Sequence, residues 1–181
     1  MNYINIFKSL NKMRNIFNYN RLIRLAYMAT LLLGMNVAWA GPKLDVEVKD
    51  GDGNVYSLSE LKGQVVYLDF WASWCGPCRK SFPWMDQMHS KYADQGLKVI
   101  AVNLDFDTAL ATQFLQQTPA NFTIAYDVDH KVANEFSILG MPSSYLFNRE
   151  GELVNTHVGF FSENLLEYEA ELVRLLNESK K

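Results

Sequence analysis

Val65-Val66-Tyr67-Leu68-Asp69-Phe70-Trp71-Ala72-Ser73-Trp74-Cys75-Gly76-Pro77-Cys78 joins a near-continuous apolar run to a closely spaced pair of cysteines. The run Val65 to Trp71, rich in β-branched and aromatic residues, reads as a central strand buried on both faces. A helix is predicted from about Cys75 to Tyr92. Pro77 suits its first turn, where a missing N–H costs nothing, and Pro83 is expected to kink it. A cysteine at a helix N-terminus meets unpaired backbone N–H groups and the positive end of the helix dipole. Both favour thiolate over thiol, and the thiolate is the nucleophile. That position falls to Cys75. Cys78 lies one turn on, where it should be less exposed and placed to attack a mixed disulfide formed by Cys75.

These are the chain's only two cysteines. As a structural staple they are poorly placed, because so small a loop stabilises by only about 2 kcal/mol, against about 4.7 for a loop of about 100 residues. A zinc site needs four ligands, and the histidines His89, His130 and His157 show no ligand spacing. Covalent haem attachment would need His after the second cysteine, where Arg79 stands. No metal or cofactor is expected, and redox chemistry is the remaining use for the pair.

Outward from this stretch, strands and helices alternate. Leu44 to Val48 and Val55 to Leu58 flank the turn Asp50-Gly51-Asp52-Gly53-Asn54 and read as an N-terminal β-hairpin. A calcium loop there would need Gly at its sixth position and Glu at its twelfth, but Val55 and Leu61 stand in those places. Ser57 to Gly63 reads as a short helical turn. Downstream, Gly96 precedes a strand Val99 to Leu104, and Asp107 caps a helix through Gln117 that Pro119 ends. A strand Phe122 to Tyr126 and a short helix Lys131 to Phe136 follow. The strand Ser143 to Phe147 then turns through Arg149 to Glu152 into Leu153 to Val158. Last comes a helix to Asn177, capped by Ser162, with Leu165, Leu166, Leu172, Val173, Leu175 and Leu176 as its apolar positions. The whole predicts an α/β sandwich.

The first forty residues differ from the rest. They hold no Asp or Glu, five Lys or Arg, an apolar run Leu25 to Val37, and the small-x-small ending Ala38-Trp39-Ala40. That is the layout of a secretory signal peptide, and 1–40 is read as one, leaving 41–181 as a single domain. An uncleaved anchor is the weaker alternative, since Leu25 to Ala40 falls short of the about 20 apolar residues that span a bilayer. Either way the body of the chain is expected outside the cytoplasm, in the periplasm. Beyond Ala40, twelve basic residues face twenty acidic ones, a net charge of −8. Nucleic-acid binding, which needs clustered Lys and Arg, is excluded.

Phe70 to Cys78, with Asp69 ahead and Met141-Pro142 behind, resembles the thioredoxin superfamily. The hairpin, Ser57 to Gly63, the inserted segment Thr108 to Tyr126 and Gly140-Met141-Pro142-Ser143-Ser144-Tyr145 are similar to its exported TlpA/ResA-like branch. The resemblance covers the mature chain and implies a thioredoxin-like fold: a central mixed β-sheet flanked by helices, with an N-terminal β-hairpin and a helix–strand insertion. It implies a thiol–disulfide oxidoreductase in which Asp69 is a buried acid assisting proton transfer with Cys78. The competing reading of Asp69 is a strand-end polar residue satisfied by backbone. Pro142 matches the family's cis-proline and would hold the Met141 backbone beside Cys75. An extended substrate could pair there as an added strand. Trp74, Gly76 and Pro77 complete the expected docking surface, whereas Trp71, Trp84 and Phe82 are expected in the core.

Two departures bear on mechanism. Thioredoxin's lysine near the buried acid corresponds to Ala101. Branches devoted to cytochrome c maturation carry an acid near the site, which neither Gly76 nor Ser143 supplies. The Gly-Pro dipeptide resembles reductants, with potentials near about −270 mV, rather than oxidants near about −120 mV. The resemblance therefore implies a disulfide reductase acting on disulfide-containing proteins, kept reduced by a membrane thiol donor of the DsbD kind, and monomeric. The alternatives are a non-catalytic binding or chaperone module on the same fold, and a cytochrome c maturation thioredoxin. A thiol peroxidase would need a Thr-x-x-Cys setting with a distant resolving cysteine. A dedicated isomerase would usually need a dimerisation segment, and none is visible.

Overall fold

The computed structural model describes residues 41–178. The predicted signal segment 1–40 lies outside the described residues. Seven strands form one sheet in the order β2-β1-β5-β4-β3-β6-β7. In chain order these are β1 (Glu47–Lys49), β2 (Val55–Ser57), β3 (Val65–Trp71), β4 (Leu97–Asn103), β5 (Thr123–Tyr126), β6 (Ser143–Phe147) and β7 (Leu153–Val158). The helices are α1 (Cys78–Tyr92), α2 (Thr108–Gln117), α3 (Lys131–Glu135) and α4 (Leu165–Asn177). β3, β4 and β5 run parallel. β6, β7 and the hairpin strands are antiparallel to their neighbours. The predicted mixed sheet, its hairpin and its helix–strand insertion are all present.

All seven residues of β3 are buried, which requires cover on both faces of the sheet. Strand alternation divides them. Val66, Leu68 and Phe70 join Leu58, Val46, Val132 and Phe136 in the core under the hairpin and α3. Tyr67 and Trp71 join Cys78, Phe82, Met85, Leu172 and others in the core under α1 and α4. Trp71, Phe82 and Phe114 pack as an aromatic triad with centroids 4.7–4.9 Å apart. Trp84 packs edge-on against Tyr67. The three predicted core aromatics, Trp71, Phe82 and Trp84, are therefore core.

Local chemistry sets the element ends. The carboxylate of Asp107 accepts the Ala109 N–H at 2.9 Å and starts α2 as predicted. A short 3₁₀ turn over Leu58–Leu61 stops before Gly63, whose φ of 95° suits glycine. Arg149, in the β6–β7 turn, donates to the carbonyls of Gly63, Gln95 and Leu176, tying three element ends together.

Three expectations need correction. The helix after β3 begins at Cys78 rather than Cys75, because Gly76 and Pro77 form a turn ahead of it and Pro77 occupies the cap position. Ser162 does not cap the last helix: it opens a 3₁₀ turn, Ser162–Asn164, that runs into α4. Leu166 is 84% exposed rather than core-facing, while Tyr168 takes a buried place on α4.

Candidate active site

The site is built where β3 ends. Past Trp71 the chain must turn away from the sheet, and a buried carboxylate from the end of β4 fixes that turn. Asp105 accepts the Ser73 N–H and hydroxyl, each at 2.9 Å, and the Asn103 side-chain amide at 2.8 Å. Cys75 follows, its N–H bonded to the Ala72 carbonyl at 3.0 Å. Cys75 and Cys78 are joined in a disulfide. The backbone N–H of Cys78, the first residue of α1, donates to the Cys75 sulfur at 3.2 Å. Although Cys75 precedes the helix, its sulfur therefore occupies the place of a capping oxygen. The N–H groups that favour a thiolate act on it from there. Cys78 is fully buried and Cys75 is 4% exposed.

Above the disulfide the surface is apolar and open. Trp74 is 72% exposed and Leu139 is 91% exposed. With Cys75, Gly76, Pro77 and Met141 they line a groove of about 480 Å³. The Met141–Pro142 peptide bond is cis. Four of the five expected docking residues, Trp74, Gly76, Pro77 and Met141, thus meet at one groove. Pro142 is buried beneath it, its carbonyl accepting the Gly159 N–H.

Asp69, on β3, is fully buried. Between Tyr67 and Trp71, it faces the same side of the sheet as Cys78. Its backbone register partners are Ala101 on β4 and Ser144 on β6. The Ser144 hydroxyl donates to Asp69 Oδ1 at 2.6 Å. Oδ2 has no hydrogen-bond partner among the described residues. Burial pushes the carboxyl pKa up to about 7, and the Ser144 hydrogen bond opposes that rise only in part. A carboxyl titrating near neutrality suits proton exchange with a thiol. The alternative reading, a polar side chain satisfied by backbone, is not what the structure shows.

Sequence reading missed Ser144, although it lies in the quoted run after Pro142. Its hydroxyl gained meaning only through the β3–β6 register. The Asp105 clamp and the exposure of Leu139 were missed for the same reason, since neither carries a motif. Among the described residues no group of three His, Cys, Asp or Glu side chains could hold a metal. The Asp-rich hairpin turn is closed on itself, with Asp50 accepting from the backbone of Asp52 and Asn54.

A disulfide at a helix N-terminus, a cis-proline beside it, a buried acid on the same side of the sheet and a mixed sheet with an inserted β5 define a thioredoxin-fold thiol–disulfide oxidoreductase. Residues 40–173 match the Redoxin family, and the chain belongs to it. Within the superfamily it is a TlpA/ResA-like protein. It is 31% identical over 127 residues to the thiol-disulfide oxidoreductase ResA of Bacillus subtilis (strain 168), covering 70% of this chain and 71% of that protein. The crystal structure of a candidate thiol:disulfide interchange protein DsbE from Chlorobium tepidum superposes with a TM-score of 0.72 at 45% identity. That match covers 76% of this chain and 98% of the other. A candidate protein disulfide isomerase from Bacteroides thetaiotaomicron gives a TM-score of 0.70 at 25% identity, over 79% of this chain and 92% of that one.

Proposed function

We propose that residues 41–181 act in the periplasm as a disulfide reductase, after export directed by 1–40. The Cys75 thiolate attacks one sulfur of a substrate disulfide, forming the Cys75–substrate bond and releasing the other substrate sulfur as a thiolate that takes a proton. Cys78 then passes its proton to Asp69 and attacks the Cys75 sulfur. The Cys75–Cys78 bond forms, the second substrate sulfur leaves as a thiolate that takes a proton from water, and the substrate has gained two electrons that the enzyme has lost. The observation that carries this reading is the Cys78 N–H aimed at the Cys75 sulfur, which stabilises charge on the attacking atom alone. Asp69 supports the second step by its burial and raised pKa.

Substrate docks as an extended segment across the groove, with Trp74, Gly76 and Pro77 on one side and the Met141 backbone ahead of Pro142 on the other. The cycle leaves the enzyme oxidised, so it needs a reductant outside the cytoplasm, and a membrane thiol donor of the DsbD kind meets that need. The enzyme works as a monomer. The Gly76-Pro77 dipeptide supports the reducing direction. Equilibration with glutathione tests it: a potential near about −270 mV is expected, and one more positive than about −180 mV overturns the direction. Expressing Cys78→Ala and identifying the proteins covalently held on Cys75 names the substrates. Recovery of a single apocytochrome would favour cytochrome c maturation over a general reductase.

A further inference from the structure

Next to the groove at Cys75 lies a second cleft of about 420 Å³. Trp74, Ile138 and Met141 line both, so the two are continuous. The rest of its wall includes Phe106 from the loop after β4, Leu110 on α2 and His130 just before α3. Phe106 is 78% exposed, and Leu110 is exposed as well. With Trp74 and Leu139 they gather four large apolar side chains, all open to water, around the two clefts. Apolar surface collected in this way marks a place where another molecule binds.

The wall is held in place before anything binds. The Phe106 ring packs on the His130 ring with centroids 4.6 Å apart. His130 Nε2 donates to the Leu104 carbonyl at 2.8 Å, and the His130 backbone sits in the left-handed region at φ 56°. Side chains other than glycine enter that region seldom, and residues kept there cluster at ligand clamps. The backbones that carry the two exposed aromatics are also tied together. Asp105, next to Phe106, accepts both the N–H and the hydroxyl of Ser73, next to Trp74. Walls fixed in advance lose little freedom on binding. Their buried polar groups are already engaged: Asp105 by Ser73 and Asn103, and His130 Nε2 by the Leu104 carbonyl. Asp107 and Asn134, the other polar side chains on the lining, are open to water. Apolar contact is therefore the main attraction this cleft offers.

We propose that the second cleft is a specificity subsite, receiving one bulky apolar side chain of the substrate polypeptide close in sequence to the cysteine that Cys75 attacks. Phe106 and Leu110 are its selecting residues. The occupant follows from continuity. A disulfide reacts at Cys75 only when the polypeptide carrying it lies in the first groove, and that polypeptide's neighbouring side chains then meet the second. An extended chain advances about 3.3 Å per residue, which puts the occupant within about four residues of the substrate cysteine. An aromatic ring or a long aliphatic side chain suits a wall of Phe106, Leu110 and Met141. An acidic side chain would face Asp107 and be turned away. The inference rests on the reading of the Cys75 groove as the substrate docking surface.

The test is reduction of disulfide-bonded peptides by the reduced protein, followed by stopped flow. The peptides differ only in carrying phenylalanine or serine at each of about four positions on either side of the cysteine. Wild type should favour phenylalanine by about tenfold in second-order rate constant at one or two of those positions, a discrimination an apolar pocket can supply. Phe106→Ala should bring that ratio close to unity, Phe106→Leu should keep most of it, and Leu110→Ser should lower it. Each ratio compares two substrates on the same protein, so a loss of folded molecules cancels. Absence of any preference in wild type would overturn the subsite. So would a preference that survives both Phe106→Ala and Leu110→Ser, since the ring would then be seated elsewhere. If wild type reduces none of the peptides, the reductase reading fails instead.

Discussion

Val66, Leu68 and Phe70 leave β3 on one side of the sheet, and Tyr67, Asp69 and Trp71 leave it on the other. The first set meets only apolar cover and needs nothing beyond packing. The second set is equally buried, yet it carries an acid with one unpartnered oxygen and an indole N–H with no partner among the described residues. Unpaired buried polar atoms cost stability, of the order of 1–3 kcal/mol each. Among the side chains of β3, that cost falls only on the face turned toward Cys78. One strand therefore separates a face that holds the fold from a face that gives up stability to keep a titrating group on the side of the sheet that carries Cys78.

Variants on the two faces should separate these roles. The largest effect is expected at the sulfur itself. Cys75→Ser should reduce insulin no faster than dithiothreitol alone, while a binding module of the same fold would be indifferent to the change.

Asp69→Asn comes next. It should slow turnover by about 10–100-fold, the range of a lost acid–base group. Its effect on stability runs the other way. A carboxyl raised from 3.8 to about 7 binds its proton more tightly in the folded protein than in the unfolded chain. Stability is therefore fullest below the unfolded pKa and declines as pH rises through the folded one, by up to about 4 kcal/mol over the interval. Urea unfolding at pH 4 and pH 8 should show that decline in wild type. Asp69→Asn should remove it and be the more stable protein at pH 8.

Leu68→Ala, one residue away on the opposite face, should cost about 2–5 kcal/mol. The pH dependence of its turnover per folded molecule should match wild type. A shifted profile would break the division between the faces. The smallest effect is expected at the exposed rim. Trp74→Ala should raise KM severalfold for a protein disulfide, leave a small disulfide unaffected, and change stability by less than about 0.5 kcal/mol.

Much of this was legible before any coordinates. The unbroken apolar run Val65 to Trp71 could only be a doubly covered strand, and the bounds of β3, β6, β7 and α2 follow from apolar runs and the Asp107 cap. The helix start was misjudged because Cys75-Gly76-Pro77 has helix-compatible residues. What fixes the boundary is the Cys75 sulfur accepting the Cys78 N–H, a contact with no sequence signature. Leu166 matched helical spacing yet faces out, since the buried stripe of α4 turns through Tyr168, Leu172, Leu175 and Leu176. The cysteines and Asp69 were visible from their motif. Ser144 and Asp105 were not, because their roles come from cross-strand register and from the clamp on Ser73. Pairing across a sheet is a tertiary fact.

All of the chemistry rests on Cys75 bearing an unusually acidic thiol once the disulfide is reduced. Rates of Cys75 alkylation by iodoacetamide, measured from pH 4 to 10 in a Cys78→Ala background, read that acidity directly. An apparent pKa at or below about 7.5 is expected for a thiol at a helix N-terminus. Reaction that rises only at about pH 8.5 or above, as for an ordinary or buried thiol, would contradict it.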